Sequence, residues 1–186
     1  KYPESGEQRE AILEEVDQGA GLVNYTAHCN EGGWLDPGFS RDDVAQLQAS
    51  GRYGLVIGNC CLSARFSINT SFGEALVRAP EKGAVGYIGG TNYTYWNEDF
   101  WWSVGATEIS ADPVYDEHLG MYDKVFHTHG EAPGLWTPAQ GQMVVGGNMA
   151  VTASGSELEK YYWEVYHLLG DPALQVWFNK PEPLAA

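Results

Sequence analysis

The sequence is short of cysteine, of basic residues and of long apolar runs, and each shortage counts against a class of protein. Three cysteines, Cys29, Cys60 and Cys61, are too few and too clustered for the disulfide framework of a small secreted scaffold, and they lack the paired C-x-x-C spacing that holds zinc. Lys and Arg number 10 against 25 Asp and Glu. The resulting formal charge of -15 repels phosphate backbones and anionic membranes, which argues against a nucleic-acid partner. No stretch approaches the roughly 20 apolar residues of a membrane span, and Lys1-Tyr-Pro-Glu4 does not resemble a signal peptide. What is present is a chain of 186 residues, 44% hydrophobic, enough to build one domain or most of a larger one. Its acidity is explained by solubility alone, although it also suits a secreted protein, a calcium binder or an enzyme that attracts cationic substrates. Lys1 in place of an initiator Met is expected to mark a processing site or an artificial boundary.

Apolar spacing predicts an amphipathic helix from Glu7 to Asp17, ending at Gly19, then a short β-rich run over Gly21 to Ala27 that ends at His28. A polar loop follows from Cys29 to Pro37. Ser40-Arg-Asp-Asp43 reads as a capping box opening a helix that stops at Gly51, and Tyr53 to Gly58 as a second strand running into Asn59-Cys-Cys61. Strand, helix and strand make a βαβ unit, whose right-handed crossover sets the two strands parallel and adjacent with their carboxyl ends at one sheet edge. His28 and Cys61 should therefore face each other, where open α/β sheets hold their active sites. Further along, Phe72 to Ala79 reads as a helix and Gly83 to Gly89 as a third strand. Thr91 to Ala106 reads as an aromatic loop that lines a pocket or covers the core. Residues 111–142 read as an irregular excursion, Glu157 to Leu169 as a helix, Ala173 to Phe178 as a last strand, and 179–186 as a linker.

A cysteine peptidase needs a thiolate, an imidazole that favours the thiolate and later protonates the leaving amine, and backbone N–H groups for the oxyanion. The predicted edge supplies all three: Cys61 as nucleophile, His28 as general acid, and the N–H groups of Cys61 and Cys29 as the oxyanion hole. Spacing alone leaves this a minority reading, because a single His and a single Cys are more often structural. Cys60, on the opposite face by strand alternation, is read as a core residue. His118, His127, His129 and His167 fit no catalytic pattern, and His127 and His129 are read as a satisfied surface pair rather than as metal ligands.

The wording of three segments goes further. Leu22-Val-Asn-Tyr-Thr-Ala-His28, Gly58-Asn-Cys-Cys61 and Tyr95-Trp-Asn-Glu-Asp99 together resemble the motifs of the gingipain family of cysteine peptidases, in particular its lysine-specific branch. The likeness is close from Gly19 to Gly105 and resumes at Tyr161 to Asp171. It implies an α/β, caspase-like open, mostly parallel sheet flanked by helices, with residues 1–178 forming the C-terminal part of a catalytic domain. It also implies a lysine pocket: Asp99 as the carboxylate at its base, Thr26 and Tyr95 as polar or lining groups, and Trp96 as a wall for the methylene stem. The competing view of Asp99 is that it caps a helix beginning near Trp96. No cofactor is required for the chemistry, and the family's structural calcium would use the Phe66 backbone oxygen and the Glu74 carboxylate.

The sequence departs from the family pattern at Cys29, where the family carries Gly, and a Cys29–Cys61 disulfide that stores a latent form is one expectation. The acid that orients the catalytic His lies upstream of the matched segment in the family, so an N-terminal chain of the same precursor is the expected partner. The function these readings imply is a secreted or cell-surface bacterial cysteine endopeptidase that cleaves protein or peptide substrates after Lys. The alternatives are the same mechanism with Arg or Asn preference, or a catalytically silent binding or adhesion module.

Overall fold

The computed structural model describes residues 8–48, 51–114 and 118–178. Residues 179–186, read as a linker, and Glu7, read as the first residue of a helix, lie outside them. The centre of the fold is a four-stranded sheet in the order β1 (Leu22–Thr26), β5 (Leu55–Asn59), β6 (Gly86–Gly90) and β7 (Tyr166–Gly170). The first three strands are parallel and β7 closes the edge antiparallel to β6. The expected adjacency holds, with β1 beside β5 in the register Leu22↔Leu55 to Thr26↔Asn59.

Strand alternation divides the core between the two faces of the sheet. Val56 and Tyr87 point into a cluster with Ile12 of helix α1 (Gln8–Gln18) and with Phe72 and Leu76 of α3 (Phe72–Arg78). Leu55, Ile57 and Ile88 point the other way. They meet Trp102 of α4 (Trp96–Val104), Met121 of α5 (Met121–Phe126), Met143 of α6 (Gln140–Ser154) and Tyr162 of α7 (Glu159–Val165). Helices therefore cover both faces, which is why every residue of β5 and β6 is buried. Close approach explains the glycines here: a Cβ on Gly58 would lie 1.9 Å from the Tyr87 hydroxyl, and one on Gly73 2.5 Å from the same ring.

Several segments differ from their sequence reading. The segment read as a loop from Cys29 to Pro37 instead forms most of a small antiparallel sheet of β2 (Cys29–Asn30), β3 (Gly33–Leu35) and β4 (Gly38–Ser40), held by the stacking of Trp34 on Tyr25. Helix α2 (Arg41–Val44) opens at Ser40 with the expected capping box to Asp43 but is only one turn long. The aromatic segment after β6 coils into α4, so Trp102 faces inward and is fully buried while Trp96 is 60% exposed. The excursion contains α5, and α6 begins within it at Gln140. The helix read over 157–169 ends at Val165, because the exposed edge of β6 recruits Tyr166–Gly170 as a strand. The segment 173–178 forms no strand, only a bridge between Gln175 and Ala139.

Candidate active site

The β1/β5 register places the site. Thr26 pairs with Asn59, and His28 and Cys61 each stand two residues beyond that pair at the same sheet edge. Both line one small cavity of about 50 Å3 together with Ala27, Thr94, Trp96 and Asp99. The His28 ring is exposed and meets Trp96 edge-on at 5.3 Å between centroids. Its loop is fixed from below, since the His28 carbonyl accepts the Tyr25 hydroxyl at 2.6 Å and the Leu35 N–H at 3.0 Å. The Cys61 thiol accepts the Thr94 N–H at 3.3 Å, and no hydrogen bond joins it to His28 in this rotamer. After Cys61 the chain turns sharply: Leu62 has φ 62°, a conformation that costs a non-glycine residue about 1–3 kcal/mol. That turn is held by the Leu62 N–H on the Asn92 carbonyl and the Ala64 N–H on the Gly90 carbonyl, both 3.0 Å.

Behind the cavity is a hydroxyl-lined acid. Asp99 is 5% exposed, and its Oδ2 accepts the Thr94 hydroxyl at 2.7 Å. Its Oδ1 lies 2.9 Å from the Tyr162 hydroxyl and 2.8 Å from that of Tyr166. Tyr162 in turn accepts the Tyr95 N–H at 2.8 Å, and the Tyr166 hydroxyl also bonds Asn59 Oδ1. Burial raises the Asp99 carboxyl to about 6 against the pull of these hydroxyls, and no Lys or Arg pairs with it among the described residues. Asp99 and Trp96 also line a second, mostly apolar pocket of about 390 Å3, shared with Thr26, Asn59, Phe100 and Tyr122. Asp99 is thus an interior residue of α4 with its side chain turned inward. The helix does begin at Trp96, as the competing view has it, but its N-cap is Tyr95.

Other candidate residues fall into place unevenly. Tyr95 lines neither pocket; it is half-exposed, with its ring against Tyr161 at 6.1 Å. Glu74 Oε2 accepts the Ser71 N–H at 2.8 Å and hydroxyl at 3.0 Å, capping α3, while Phe66 is exposed beside His167. Thr94, Tyr162, Tyr166 and Asn59 are site residues that the sequence reading passed over, since each matters only through the tertiary partner it meets. The tyrosine-rich run from Tyr161 to Tyr166 was the available signal, because a buried phenol requires a hydrogen-bond partner.

The cysteine pairing is a correction. Cys29 is bonded to Cys60, with Cα atoms 5.8 Å apart, and Cys61 is free. Alternation along the strands accounts for it: Cys29 and Cys60 are both buried on the α1/α3 face, whereas Cys61 turns to the cavity. Cys60 is therefore a core residue and a cross-link at once. The bridge joins the residue after His28 to the residue before Cys61, tying together the two chain segments that carry the pair. His127 and His129 are both exposed and both partnered: His127 stacks on Trp136 at 3.9 Å, and His129 bonds Asp123.

An open, mostly parallel sheet flanked by helices on both faces is a caspase-like architecture. The chain superposes on a solved structure of a protease with a TM-score of 0.82 and 32% identity, covering 98% of this chain and 40% of that one. It superposes on the Arg-specific cysteine proteinase gingipain R with a TM-score of 0.76 at 24% identity, a likeness of fold, covering 91% of this chain and 36% of that one. Lys-gingipain of Porphyromonas gingivalis is 35% identical over 176 residues, which cover 90% of this chain. The model of peptidase family C25 matches residues 1–177, and the chain belongs to that family. It spans 10% of the length of Lys-gingipain.

Proposed function

We propose that this chain carries the nucleophile, histidine and specificity pocket of an extracytoplasmic cysteine endopeptidase that cleaves after Lys. The observation that carries the reading is a buried carboxylate without a cationic partner, Asp99, lining the same cavity as Cys61 and His28. In this mechanism the Cys61 thiolate attacks the scissile carbonyl carbon and the carbonyl oxygen becomes an oxyanion. His28 protonates the departing amine, leaving a thioester, and then takes a proton from the water that hydrolyses it. Two backbone N–H groups suit the oxyanion. The bond from Leu35 N–H to the His28 carbonyl makes Cys29–Trp34 the non-hydrogen-bonded pair of the β2–β3 ladder, which turns the Cys29 N–H away from it. The Cys61 N–H has no acceptor among the described residues. The substrate's ammonium group would supply the cation Asp99 lacks, with Trp96 along the methylene stem and Thr26 in the adjoining pocket.

The disulfide supports a compartment outside the cytoplasm, since such bonds persist where the environment is oxidising. Among the described residues no helix is long and apolar enough to cross a membrane. Trp96 packs edge-on against the His28 ring, but no side chain among the described residues hydrogen-bonds it. That fits a catalytic domain that an N-terminal chain of the same precursor completes. A structural calcium held by the Phe66 carbonyl and the Glu74 carboxylate would need further ligands, since calcium takes six to eight oxygens.

The test uses the reduced, complete protein with matched fluorogenic peptides ending in Lys, Arg or Asn. Lys-selective release that vanishes in a folded Cys61→Ala variant is expected. Release selective for Arg or Asn would overturn the pocket assignment, and no release from any peptide would make the chain a silent binding module.

A further inference from the structure

A second polar cluster lies where α5 ends. Its three members are Asp123 in α5, and His129 and Glu131 in the following turn, and one ligand-type atom from each lies within 4.8 Å of the others. Two of the side chains are deeply buried: Asp123 is 7% and Glu131 3% exposed, whereas the His129 ring is 41% exposed. His129 Nδ1 is 2.9 Å from Asp123 Oδ1 and 3.4 Å from Glu131 Oε1. A nitrogen with at most one proton cannot satisfy both carboxylates. Glu131 Oε2 accepts the His129 N–H at 2.9 Å, but Asp123 Oδ2 and Glu131 Oε1 are buried with no hydrogen-bond donor. Two buried, unpartnered carboxylate oxygens are costly in any fold, and more so in a chain of net charge -15. Among the described residues no Lys or Arg ion-pairs with either acid.

We propose that Asp123, His129 and Glu131 form a binding site for a divalent transition-metal cation of the zinc class. Bonds of about 2.0–2.1 Å in a tetrahedron put neighbouring ligand atoms about 3.3 Å apart, and the 2.9 and 3.4 Å separations bracket that spacing. One imidazole nitrogen with two carboxylates suits zinc rather than calcium, which prefers a larger set of oxygens. A water completes the fourth position on the exposed side. The ion neutralises both acids and clips the turn at 127–131 to α5. None of the three residues lines the cavities beside Cys61, so the proposal stands independently of the peptidase reading.

The experiment counts zinc by elemental analysis in the complete protein carrying Cys61→Ala, so that no free thiolate competes. The protein is dialysed in calcium-containing buffer and then equilibrated with zinc chloride. The parent should hold one zinc per chain more than its His129→Ala and Glu131→Gln variants, and should show a zinc-dependent rise in Tm of several degrees that both variants lose. The exposed His129 ring makes its replacement compatible with folding, which circular dichroism checks. Equal zinc content in parent and variants overturns the site, and so does its failure to bind zinc at all. A Tm rise produced through the same residues equally well by calcium overturns the metal class.

Discussion

Two corners of the molecule each bury an aspartate, and they treat it in opposite ways. At the α1–α2 corner Asp43 is 7% exposed and meets a complete set of partners. The Ser40 N–H and hydroxyl lie on its Oδ2 at 2.7 and 2.8 Å, and the Arg9 guanidinium bonds its Oδ1. Burial pushes its carboxyl up, but Ser40 and Arg9 together outweigh burial and hold it below the ordinary range. At the sheet edge Asp99 is 5% exposed and meets three hydroxyls but no cation, and burial prevails, raising it to about 6. Hydroxyls satisfy a carboxylate's geometry without neutralising its charge. Asp43 is thus neutralised within the chain, whereas Asp99 meets no cation among the described residues.

The sharpest way to break this contrast is to remove each charge in turn. Asp99→Asn keeps the size of the side chain and abolishes its attraction for an ammonium group. It is expected to lower kcat/KM for Lys peptides by about 100- to 1000-fold, as losing a buried charge partner costs roughly 3–4 kcal/mol. Asp43→Asn should leave cleavage unchanged. An unaltered Lys preference in Asp99→Asn, measured with matched Lys and Arg peptides, would sink the assignment.

Stability should separate the same two residues by sign. For Asp99, raised in the fold from 3.8 to about 6, stability is highest below the unfolded value. It is lost as pH climbs from about 4 to 6, a penalty of roughly 2–4 kcal/mol that is complete above 6. Asp43 is lowered, so its contribution is present above the unfolded value and is lost as pH falls through the folded one. Relative to the parent, Asp99→Asn should therefore gain stability between pH 4 and 7, while Asp43→Asn should be less stable at pH 7 by about 1–2 kcal/mol and lose that deficit in acid. Denaturant titrations at several pH values check both. Parallel curves for the two variants would mean that the acids are not different in kind.

How much of this was legible in sequence depends on whether the signal was local. The β1–α–β5 unit could be read because alternating apolar residues, the Ser40–Asp43 capping box and the punctuating glycines are all short-range, and they alone set His28 opposite Cys61. Helix α6 could not be: Gly146 and Gly147 sit in its middle, and Gln140 and Asn148 are buried, so no apolar stripe marks its inner face. Gly147 is there because a Cβ would come 2.3 Å from the Trp102 ring, a demand visible only once α4 and α6 are packed. The Cys29–Cys60 bond was similarly hidden, since pairing depends on which face of the sheet each thiol takes. Tyr166 looked helical in its own segment and became a strand because β6 offered an unpaired edge.

That displaced tyrosine gives the finest test of the contrast. Its hydroxyl is shared between Asn59 Oδ1 and Asp99 Oδ1, and its ring stacks on Trp102 at 4.7 Å, so Tyr166→Phe deletes one donor and keeps the packing. Two small effects should follow. Leaving a buried acceptor short of a donor should cost about 1–2 kcal/mol at neutral pH. The Asp99 anion, with one hydroxyl fewer, should take up its proton more readily, moving the pH range over which stability falls to higher values. The deficit against the parent should then shrink as pH drops below the range where Asp99 is ionised. A uniform deficit across all pH values would assign the hydroxyl to Asn59 alone. In that case Thr94 and Tyr162 would be the groups that keep the Asp99 carboxylate charged.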